Sequence, residues 1–333
     1  MKLRFALPSK GMMYDSAAAF LESCNLKVSR PNPRRYTAGI HTLPQADVLL
    51  HRPADIVEKV ADGEIDLGIT GLDLVEEQRG DRDDLLVIYD DLGFGRAELV
   101  VAVPDTWIDV SSWRDLADLS VELQAQGRPL RIATKYHELI RRFCYANGIN
   151  YFQLVDSQGA TEAAPGLSYA DIIADITETG TTLRDNQLKI VGGPILRSQA
   201  CVVANRANLR ADSEKREAVK LVLELVEARQ RGRQFVSVVA NVPGASAEDV
   251  GRRVAARREL AGMQGPTVAP VWTPDGASFE WHTVTVVVRQ DRVMAAVDHL
   301  RTLGGDGITV TTAQYVFTAH SEAYQRLLAA LEQ

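Results

Sequence analysis

Alternation of short apolar segments with helical patterns is the feature that most restricts the fold of this chain. It extends over roughly the first 200 residues. Residues 5–7 form an apolar segment that ends at Pro8, and a helix is predicted from about Met12 to Cys24. Asp66 to Thr70 has the composition of a buried strand, and the next helix is predicted to start at residues 71–73. Such alternation of strand and helix predicts an α/β fold.

A second unit repeats this pattern. Leu130 to Ala133 is predicted as a strand, Lys135 to Asn147 as a helix, and Ile172 to Asp175 as a strand that leads into a Thr/Gly turn. The apolar segment Ala200 to Ala204 could return the chain to the first unit. Two small α/β lobes joined by crossing strands form a cleft between strand ends, which is where such sheets bind ligands.

The pattern changes after a charged helix predicted from Ser213 to Arg231. Beyond it we predict strands at Phe235–Asn241, Thr283–Val288 and Gly307–Thr312, and helices at Ser246–Arg257 and Asp291–Leu303. The order β-α-β-β-α-β describes a ferredoxin-like module. Nothing in its sequence offers a nucleophile or a set of metal ligands, which indicates a regulatory or structural module.

The turn that follows Ile172 to Asp175 carries the clearest chemical signal. Two carboxylates, Asp175 and Glu178, stand at its start, and the turn itself consists of Thr179, Gly180, Thr181 and Thr182. Backbone N–H groups, hydroxyls and the positive end of a helix dipole favour a bound phosphate. The carboxylates can accept hydrogen bonds from sugar hydroxyls or hold a Mg²⁺ that the phosphates share. The alternative interpretation is a simple strand-to-helix turn with a threonine N-cap.

Composition limits the classes of partner and the compartment. The chain has 333 residues, of which 46% are hydrophobic and 24% charged, as in ordinary globular proteins. A net charge of -7 argues against binding to nucleic acid or to a membrane surface. Cys24, Cys144 and Cys201 are too far apart to suggest a disulfide framework or a metal site, so we expect buried thiols. With no long apolar run and no signal peptide, the sequence predicts a cytoplasmic protein.

Several blocks along the chain together indicate a family. They are Leu7 to Gly11, Asp66 to Asp73, Leu92 to Gly95, Arg131 to Tyr136, Gly159 to Pro165, Asp175 to Leu183, Gln264 to Val268 and Trp281 to Val284. In these blocks, taken in order, the chain resembles the long form of ATP phosphoribosyltransferase, the first enzyme of histidine biosynthesis. Separate blocks in the right order are far more specific than any one of them.

The resemblance implies a reaction, a fold and a domain division. ATP and phosphoribosyl pyrophosphate would be the substrates, Mg²⁺ the cofactor and histidine the inhibitor. The fold would be a two-lobed, periplasmic-binding-protein-like catalytic core with a C-terminal ferredoxin-like regulatory domain, in a homo-oligomer between dimer and hexamer. The predicted ranges are 1–96 with 194–212 for lobe I, 97–193 for lobe II, 213–231 for a connector helix and 232–333 for the regulatory domain.

The resemblance also implies roles for individual residues. The implied catalytic residues are Lys10, Arg52 and Glu162. Phosphoribosyl pyrophosphate would contact Asp175, Glu178, Thr179, Gly180, Thr181 and Thr182, with Asp175 and Glu178 also at the Mg²⁺. ATP would contact Lys10, Gly71, Asp73, Lys135 and Tyr136. The residues implied in the response to histidine are Asp306, Gly307 and Thr309.

Four of these side chains also have a simpler interpretation. Lys10 could be a solvated loop lysine, and Arg52 could be a surface residue paired with Asp55. Tyr136 could simply mark a helix start, and Glu162 could be a first-turn acid favoured by the helix dipole. On these interpretations the residues would contribute to local structure rather than to catalysis.

Two departures from the family pattern keep a second function open. After Lys10 and Gly11 the family usually has Arg then Leu, whereas this chain has Met12 and Met13. The tail also departs from the family pattern. Most long forms continue with an apolar, proline-containing strand at the place that residues 311–315 occupy in this chain. The alternative to the enzyme is a non-catalytic two-lobed sensor or regulatory paralogue, which Met12 favours. The complete turn at 175–182, together with Lys10, favours the enzyme.

Overall fold

The computed structural model describes residues 2–32, 34–157, 159–272 and 280–332. The chain divides into two compact units, Met1–Lys220 with Arg326–Gln333, and Leu221–Gln325. Within the described ranges, no helix combines the length and the apolar character that a membrane span requires.

The first unit contains two β-sheets and their connecting helices, as the alternating pattern predicts. Its strands are β1 (Leu3–Pro8), β2 (Val28–Ser29), β3 (Thr37–Ile40), β4 (Ala46–His51), β5 (Leu67–Gly71), β6 (Leu85–Tyr89), β7 (Ala97–Pro104), β8 (Leu130–Thr134), β9 (Phe152–Asp156), β10 (Ile172–Thr177), β11 (Leu188–Ser198) and β12 (Ala200–Asn205). The helices are α1 (Gly11–Ser23), α2 (Pro53–Ala61), α3 (Leu72–Gln78), α4 (Trp113–Ala125), α5 (His137–Ala146), α6 (Thr181–Asp185), α7 (Arg206–Ala211) and α8 (Ser213–Gly232), within which the division between the units falls.

The first sheet has seven strands in the order β2-β3-β4-β1-β5-β12-β6. Strand β1 pairs in parallel with β4 and β5, and β12 runs antiparallel to β5 and β6. All five residues of β5 are buried, which fits a sequence of Leu, Ile, Thr and Gly without a charged residue. Strand β12 lies in this sheet, so the segment from Ala200 to Ala204 does return the chain to the first lobe.

The second sheet has five strands in the order β11-β7-β10-β8-β9. Strand β8 is parallel to β9 and β10, whereas β7 is antiparallel to β10 and β11. Strand β11 stays paired with β7 as far as Ser198, whereas the return to lobe I was predicted at residue 194. The pairing register shifts between Val191 and Leu196, where two glycines and a proline interrupt the sequence, so no apolar alternation indicates that the strand continues.

An arginine–aspartate pair occupies the same topological position in both lobes. The backbone N–H of Arg4 on β1 donates to Asp66 Oδ2 at 2.8 Å, and its Nη2 atom donates to Oδ1 at 2.7 Å. The same two atoms of Arg131 on β8 donate to Asp171, each at 2.9 Å. Each aspartate precedes the next parallel strand, β5 or β10, so a charge-assisted pair anchors the start of that strand to its neighbour.

The second unit contains a four-stranded antiparallel sheet with two helices. Its elements are β13 (Phe235–Pro243), α9 (Ala247–Ala255), β14 (Thr267–Pro270), β15 (Trp281–Arg289), α10 (Val293–Thr302) and β16 (Asp306–Thr312), and α11 (Glu322–Glu332) follows in the chain. The strand order β14-β15-β13-β16 gives the ferredoxin-like topology. Ser246, the first residue of the helix predicted at Ser246–Arg257, caps α9 by accepting a hydrogen bond from the Asp249 N–H at 3.1 Å.

Candidate active site

The predicted site segments of the first unit follow the C-terminal ends of parallel strands. In the first sheet, Lys10 follows β1, Arg52 follows β4, and Gly71 ends β5. In the second sheet, Lys135 follows β8 and residues 178–182 follow β10. Ligands of open α/β sheets bind at this edge, so the topology places these segments where a ligand is expected.

A cavity of about 300 Å³ in the first unit is lined by residues of both lobes. The predicted site residues that line it are Gly71, Asp73, Lys135, Tyr136 and Glu178. Met12, Met13, Arg96 and Ile176 also line it. The structure therefore brings together all of the residues assigned to ATP except Lys10, and places one acid of the predicted phosphate turn beside them.

Asp73 is a buried carboxylate that links the two lobes. Its Oδ2 atom accepts a hydrogen bond from the Tyr136 hydroxyl at 2.6 Å, and its Oδ1 atom accepts one from the Ser198 hydroxyl, also at 2.6 Å. Burial, and then the nearby Asp73 charge, raise the pKa of Tyr136 far above its ordinary value, so the phenol stays protonated and donates. Because Tyr136 is 1% exposed and Asp73 6%, these groups shape the cavity wall and can present little surface to a ligand.

A second contact between the lobes lies at the start of α5. The Glu77 carboxylate on α3 accepts hydrogen bonds from the backbone N–H groups of Glu138, at 2.9 Å, and Leu139, at 3.0 Å. First-turn N–H groups have no acceptor within their own helix, and the helix dipole favours an anion there. This contact holds Lys135 and Tyr136, which directly precede α5, against the first lobe.

Lys135 and two acids form the charged wall of the second lobe. The Nζ atom of Lys135 lies 3.7 Å from Asp175 Oδ1 and 5.0 Å from the centre of the Tyr136 ring. Asp175 Oδ1 also accepts a hydrogen bond from the Ile176 N–H at 2.8 Å. Glu178 is exposed and lines the cavity, and its carboxylate has no ion pair within the part of the chain that the structure describes. The wall thus offers one cation and two carboxylates to a ligand.

Asp175 and Glu178 are the residues that we assigned to Mg²⁺. Among residues 2–32, 34–157, 159–272 and 280–332, no three His, Cys, Asp or Glu side chains are grouped so that they could hold a metal ion. Mg²⁺ is usually held by one or two carboxylates together with substrate phosphates and water, rather than by a cage of protein ligands. Two oxygen donors beside a phosphate-type turn fit that mode of binding.

The turn at residues 178–182 joins β10 to α6. Gly180 is the N-cap of α6 and has a φ of +71°, a left-handed conformation that glycine adopts without steric cost. Its N–H donates to Thr177 Oγ1 at 2.9 Å, and the hydroxyls of Thr179 and Thr181 lie 2.9 Å apart. Because the capping position is a glycine, the alternative of a threonine N-cap is not observed. The N–H groups of Thr179 and Thr182 find no acceptor among the described residues, so both are available to an anion.

The three predicted catalytic residues are not among the residues that line the 300 Å³ cavity. Lys10 and Arg52 are exposed and are the N-caps of α1 and α2. Glu162 is half-buried in the 3₁₀ turn Thr161–Ala163. Where the chain is described, Arg52 forms no ion pair with Asp55 or with another acid, so the surface-pair interpretation is not observed. The catalytic roles of these residues stay predictions.

Arg96 is a cavity residue for which no role was predicted. It follows Gly95 and directly precedes β7, where the chain passes from the first lobe to the second. Its Nη2 atom lies 3.2 Å from Asp91 Oδ2, and 73% of its side chain is exposed. Since Arg96 lines the same cavity as Met12, it adds a cation on the side where the family's usual arginine is missing. Its position at a crossing between lobes was the signal that could have indicated it.

These features define a class: an α/β protein with a two-lobed core that has a cavity at the ends of its parallel strands, followed by a ferredoxin-like domain. Residues 52–228 match the protein family described as ATP phosphoribosyltransferase, and residues 232–315 match the domain described as HisG, C-terminal domain. The chain belongs to the ATP phosphoribosyltransferase family. The predicted family and the predicted fold class are confirmed.

Known relatives are similar to nearly the whole chain. ATP phosphoribosyltransferase 2, chloroplastic, of Arabidopsis thaliana is 38% identical over 99% of this chain and 81% of the relative. ATP phosphoribosyltransferase of Nitrobacter winogradskyi is 35% identical over 98% of this chain and 97% of the relative. The solved structure of the ATP phosphoribosyl transferase (HisG:HisZ) complex from Thermotoga maritima aligns with a TM-score of 0.52 and 24% identity. It covers 68% of this chain and 98% of that chain, and it supports the fold alone.

Proposed function

We propose that this chain transfers the 5-phosphoribosyl group of phosphoribosyl pyrophosphate to N1 of ATP, the first step of histidine biosynthesis. N1 of the adenine forms a bond to C1 of the ribose, the bond from C1 to the pyrophosphate oxygen breaks, and pyrophosphate leaves with the electron pair. The products are N1-(5-phosphoribosyl)-ATP and pyrophosphate. Because the adenine is the nucleophile, the protein has to supply positioning and charge stabilisation rather than a catalytic triad.

The turn at residues 178–182 is the observation that carries this proposal. Its glycine is in the left-handed conformation, two of its N–H groups are available, and Glu178 lines the cavity that Lys135 also lines. A 5′-phosphate in this turn would place the ribose near Asp175 and Glu178, whose oxygens can accept hydrogen bonds from its hydroxyls. When bound by these two carboxylates and the pyrophosphate, Mg²⁺ would neutralise charge on the leaving group.

One assay tests the proposal against a non-catalytic sensor. The full chain is mixed with ATP, phosphoribosyl pyrophosphate and Mg²⁺, and both ribosylated nucleotide and pyrophosphate are measured. We expect the two products in equal amounts and none without Mg²⁺. Met12, which lines the cavity and is 71% exposed, is the observation that favours the sensor. Saturable binding of both substrates without product would support the sensor and overturn the enzyme.

We expect the variant Lys10→Ala to weaken substrate binding without destabilising the fold. An exposed loop cation contributes little to stability, within about 0.5 kcal/mol, because it is solvated in both states. The KM for ATP or phosphoribosyl pyrophosphate should rise about tenfold, which corresponds to ~1.4 kcal/mol. Lys2→Ala, at another exposed lysine, is the matched control and should leave the KM values unchanged. A drop in melting temperature with unchanged KM values would support the structural interpretation of Lys10.

The same proposal assigns a regulatory role to residues 232–333 and a homo-oligomeric state to the chain. Asp306, Gly307 and Thr309, the residues predicted to respond to histidine, lie exposed on β16. Strand β16 is at the edge of its sheet and is exposed along nearly its whole length, and such an edge has unpaired backbone groups that can pair with another chain. Inhibition by histidine, an assembly between dimer and hexamer, and a cytoplasmic location stay predictions.

A further inference from the structure

A small cavity in the second unit is independent of the proposed active site. It lies between the C-terminal half of α8 and the segment that precedes α11, and its volume is about 110 Å³. The side chains that matter for its chemistry are Glu224, Glu227, Arg231, Phe317, Thr318 and Ser321. Residues 317–321 lie beyond the range 232–315 that matches the C-terminal family domain, and Glu224 to Arg231 lie before it.

Glu227 is a buried acid with an unused oxygen. The residue is 7% exposed, and its Oε1 atom accepts hydrogen bonds from the Ala323 N–H at 3.2 Å and from Arg231 Nη2 at 3.3 Å. Its Oε2 atom is buried and has no hydrogen-bond partner among the described residues. Burying a carboxylate oxygen without a hydrogen-bond donor costs free energy. We therefore expect a donor from outside the chain to bind this atom.

The remaining polar groups show what kind of partner is missing. Arg231 is already engaged, since its guanidinium contacts Thr318 Oγ1 at 2.8 Å, Glu322 Oε1 at 3.2 Å and Glu227. Glu224 lies three residues before Glu227 on the same helix face and is half-buried, and it has no ion pair within the described ranges. The cavity therefore has carboxylate oxygens without a hydrogen-bond donor and a guanidinium that is already paired with two carboxylates. These groups favour a ligand that carries a positive charge and donates hydrogen bonds.

The aromatic side chain at the rim and the size of the cavity further limit which ligands could bind. Phe317 lines the cavity with 60% of its surface exposed, and its ring stacks on Tyr315 with 6.0 Å between ring centres. An aromatic face attracts a cation and covers an alkyl chain. A volume of about 110 Å³ admits an ammonium group with a few carbons but not a nucleotide.

We propose that this cavity binds the primary ammonium group of a small aliphatic amine. Glu227 Oε2 and the Glu224 carboxylate accept its hydrogen bonds, and Phe317 covers the carbon chain. A free amino acid fits less well, because its carboxylate would find Arg231 already paired. The bound amine holds residues 317–321 against α8, so its binding should stabilise the segment that leads into α11.

The test uses the full chain and 1,4-diaminobutane as the probe, with binding followed by ligand-observed NMR and by the melting temperature. We expect saturable binding and a rise in melting temperature for this amine and for butylammonium. The uncharged 1-butanol and KCl at equal ionic strength should have neither effect. Absence of saturable binding, as for a cavity that holds water only, would overturn the proposal. Equal effects of KCl would overturn the choice of an organic ammonium group.

Variants locate the binding in the cavity. Glu227→Gln keeps an oxygen for the Ala323 N–H but removes the charge, and it should weaken binding at least about tenfold. Glu217→Gln is the matched control on the same helix, since Glu217 is 68% exposed and pairs with Lys220, and it should bind like the parent chain. If Glu227→Gln does not fold, the exposed Phe317→Ala gives a second measurement and should also weaken binding. Unchanged affinity in the folded Glu227→Gln variant, or in Phe317→Ala, would rule the site out.

Discussion

Replacing Gly180 by valine is expected to abolish phosphoribosyl transfer while the protein stays folded. Gly180 has a φ of +71° at the start of α6, a conformation that β-branched residues rarely adopt. The described atom nearest to an added Cβ is Ile190 Cδ1 at 4.0 Å, so the fold can accommodate the side chain. The strain of roughly 1–2 kcal/mol would instead be relieved by a change in the turn itself. Loss of the turn's N–H geometry should lower kcat/KM by roughly 10²-fold or more.

Gly148 provides a matched control for this variant. It follows α5 with a φ of +72°, and an added Cβ would meet nothing within 4 Å among the described atoms. Gly148→Val should therefore carry the same backbone strain as Gly180→Val, with a similar shift in melting temperature and little change in turnover. Both variants are assayed for product formation and thermal unfolding. Near-normal turnover by a folded Gly180→Val variant would overturn the assignment of this turn to the phosphate.

The fold could be predicted wherever an element carried its own periodicity. A serine is a favoured helix N-cap, so the start of α9 at Ser246 could be predicted. The return strand β12 could be predicted from its continuous apolar run. Strand β14, Thr267–Pro270, was not placed, although the order of elements requires a strand there. It has four residues, none of them fully buried, so it is too short and too exposed to show a period of two. The last part of β11 was not predicted either, because its pairing register shifts between Val191 and Leu196 and interrupts the alternation.

The site could be predicted in outline because parallel strands place their C-terminal ends at one edge. That rule, and not any single motif, brings Gly71, Lys135 and Glu178 to the lining of one cavity. It could not indicate that the Tyr136 hydroxyl faces Asp73, because the two residues are 63 positions apart and neither has a local signal of burial. The cation Arg96 was missed although it lies at the predicted boundary between the lobes, because a boundary alone does not show which side chains line the cavity. Its place in the cavity depends on how the chain crosses between the lobes.

The largest loss of stability is expected from Asp66→Asn in the first unit. Asp66 is fully buried, and its Oδ1 atom accepts hydrogen bonds from Arg4 Nη2 at 2.7 Å, Lys215 Nζ at 3.0 Å and Asn208 Nδ2 at 2.9 Å. The neutral amide would leave the buried Lys215 ammonium without its counter-ion, and breaking a buried pair in this way costs about 3–5 kcal/mol. Chemical unfolding at pH 7 should show this as a lower midpoint with an unchanged m-value.

The pH dependence of this loss identifies its electrostatic origin. Burial alone would raise the pKa of Asp66, but hydrogen bonds from Arg4 and Lys215 outweigh it and hold the pKa below its ordinary value. A carboxylate with a lowered pKa in the folded state stabilises the fold above the unfolded-state value of ~4, and this stabilisation is lost as the pH falls through the folded-state value. The difference between the parent chain and Asp66→Asn should therefore be largest near neutral pH and shrink below about pH 4. Asp47→Asn, which removes an exposed partner of Lys2 in the same sheet, should cost no more than about 1 kcal/mol. An Asp66→Asn variant no less stable than Asp47→Asn would show that the buried pair does not anchor β5 to β1.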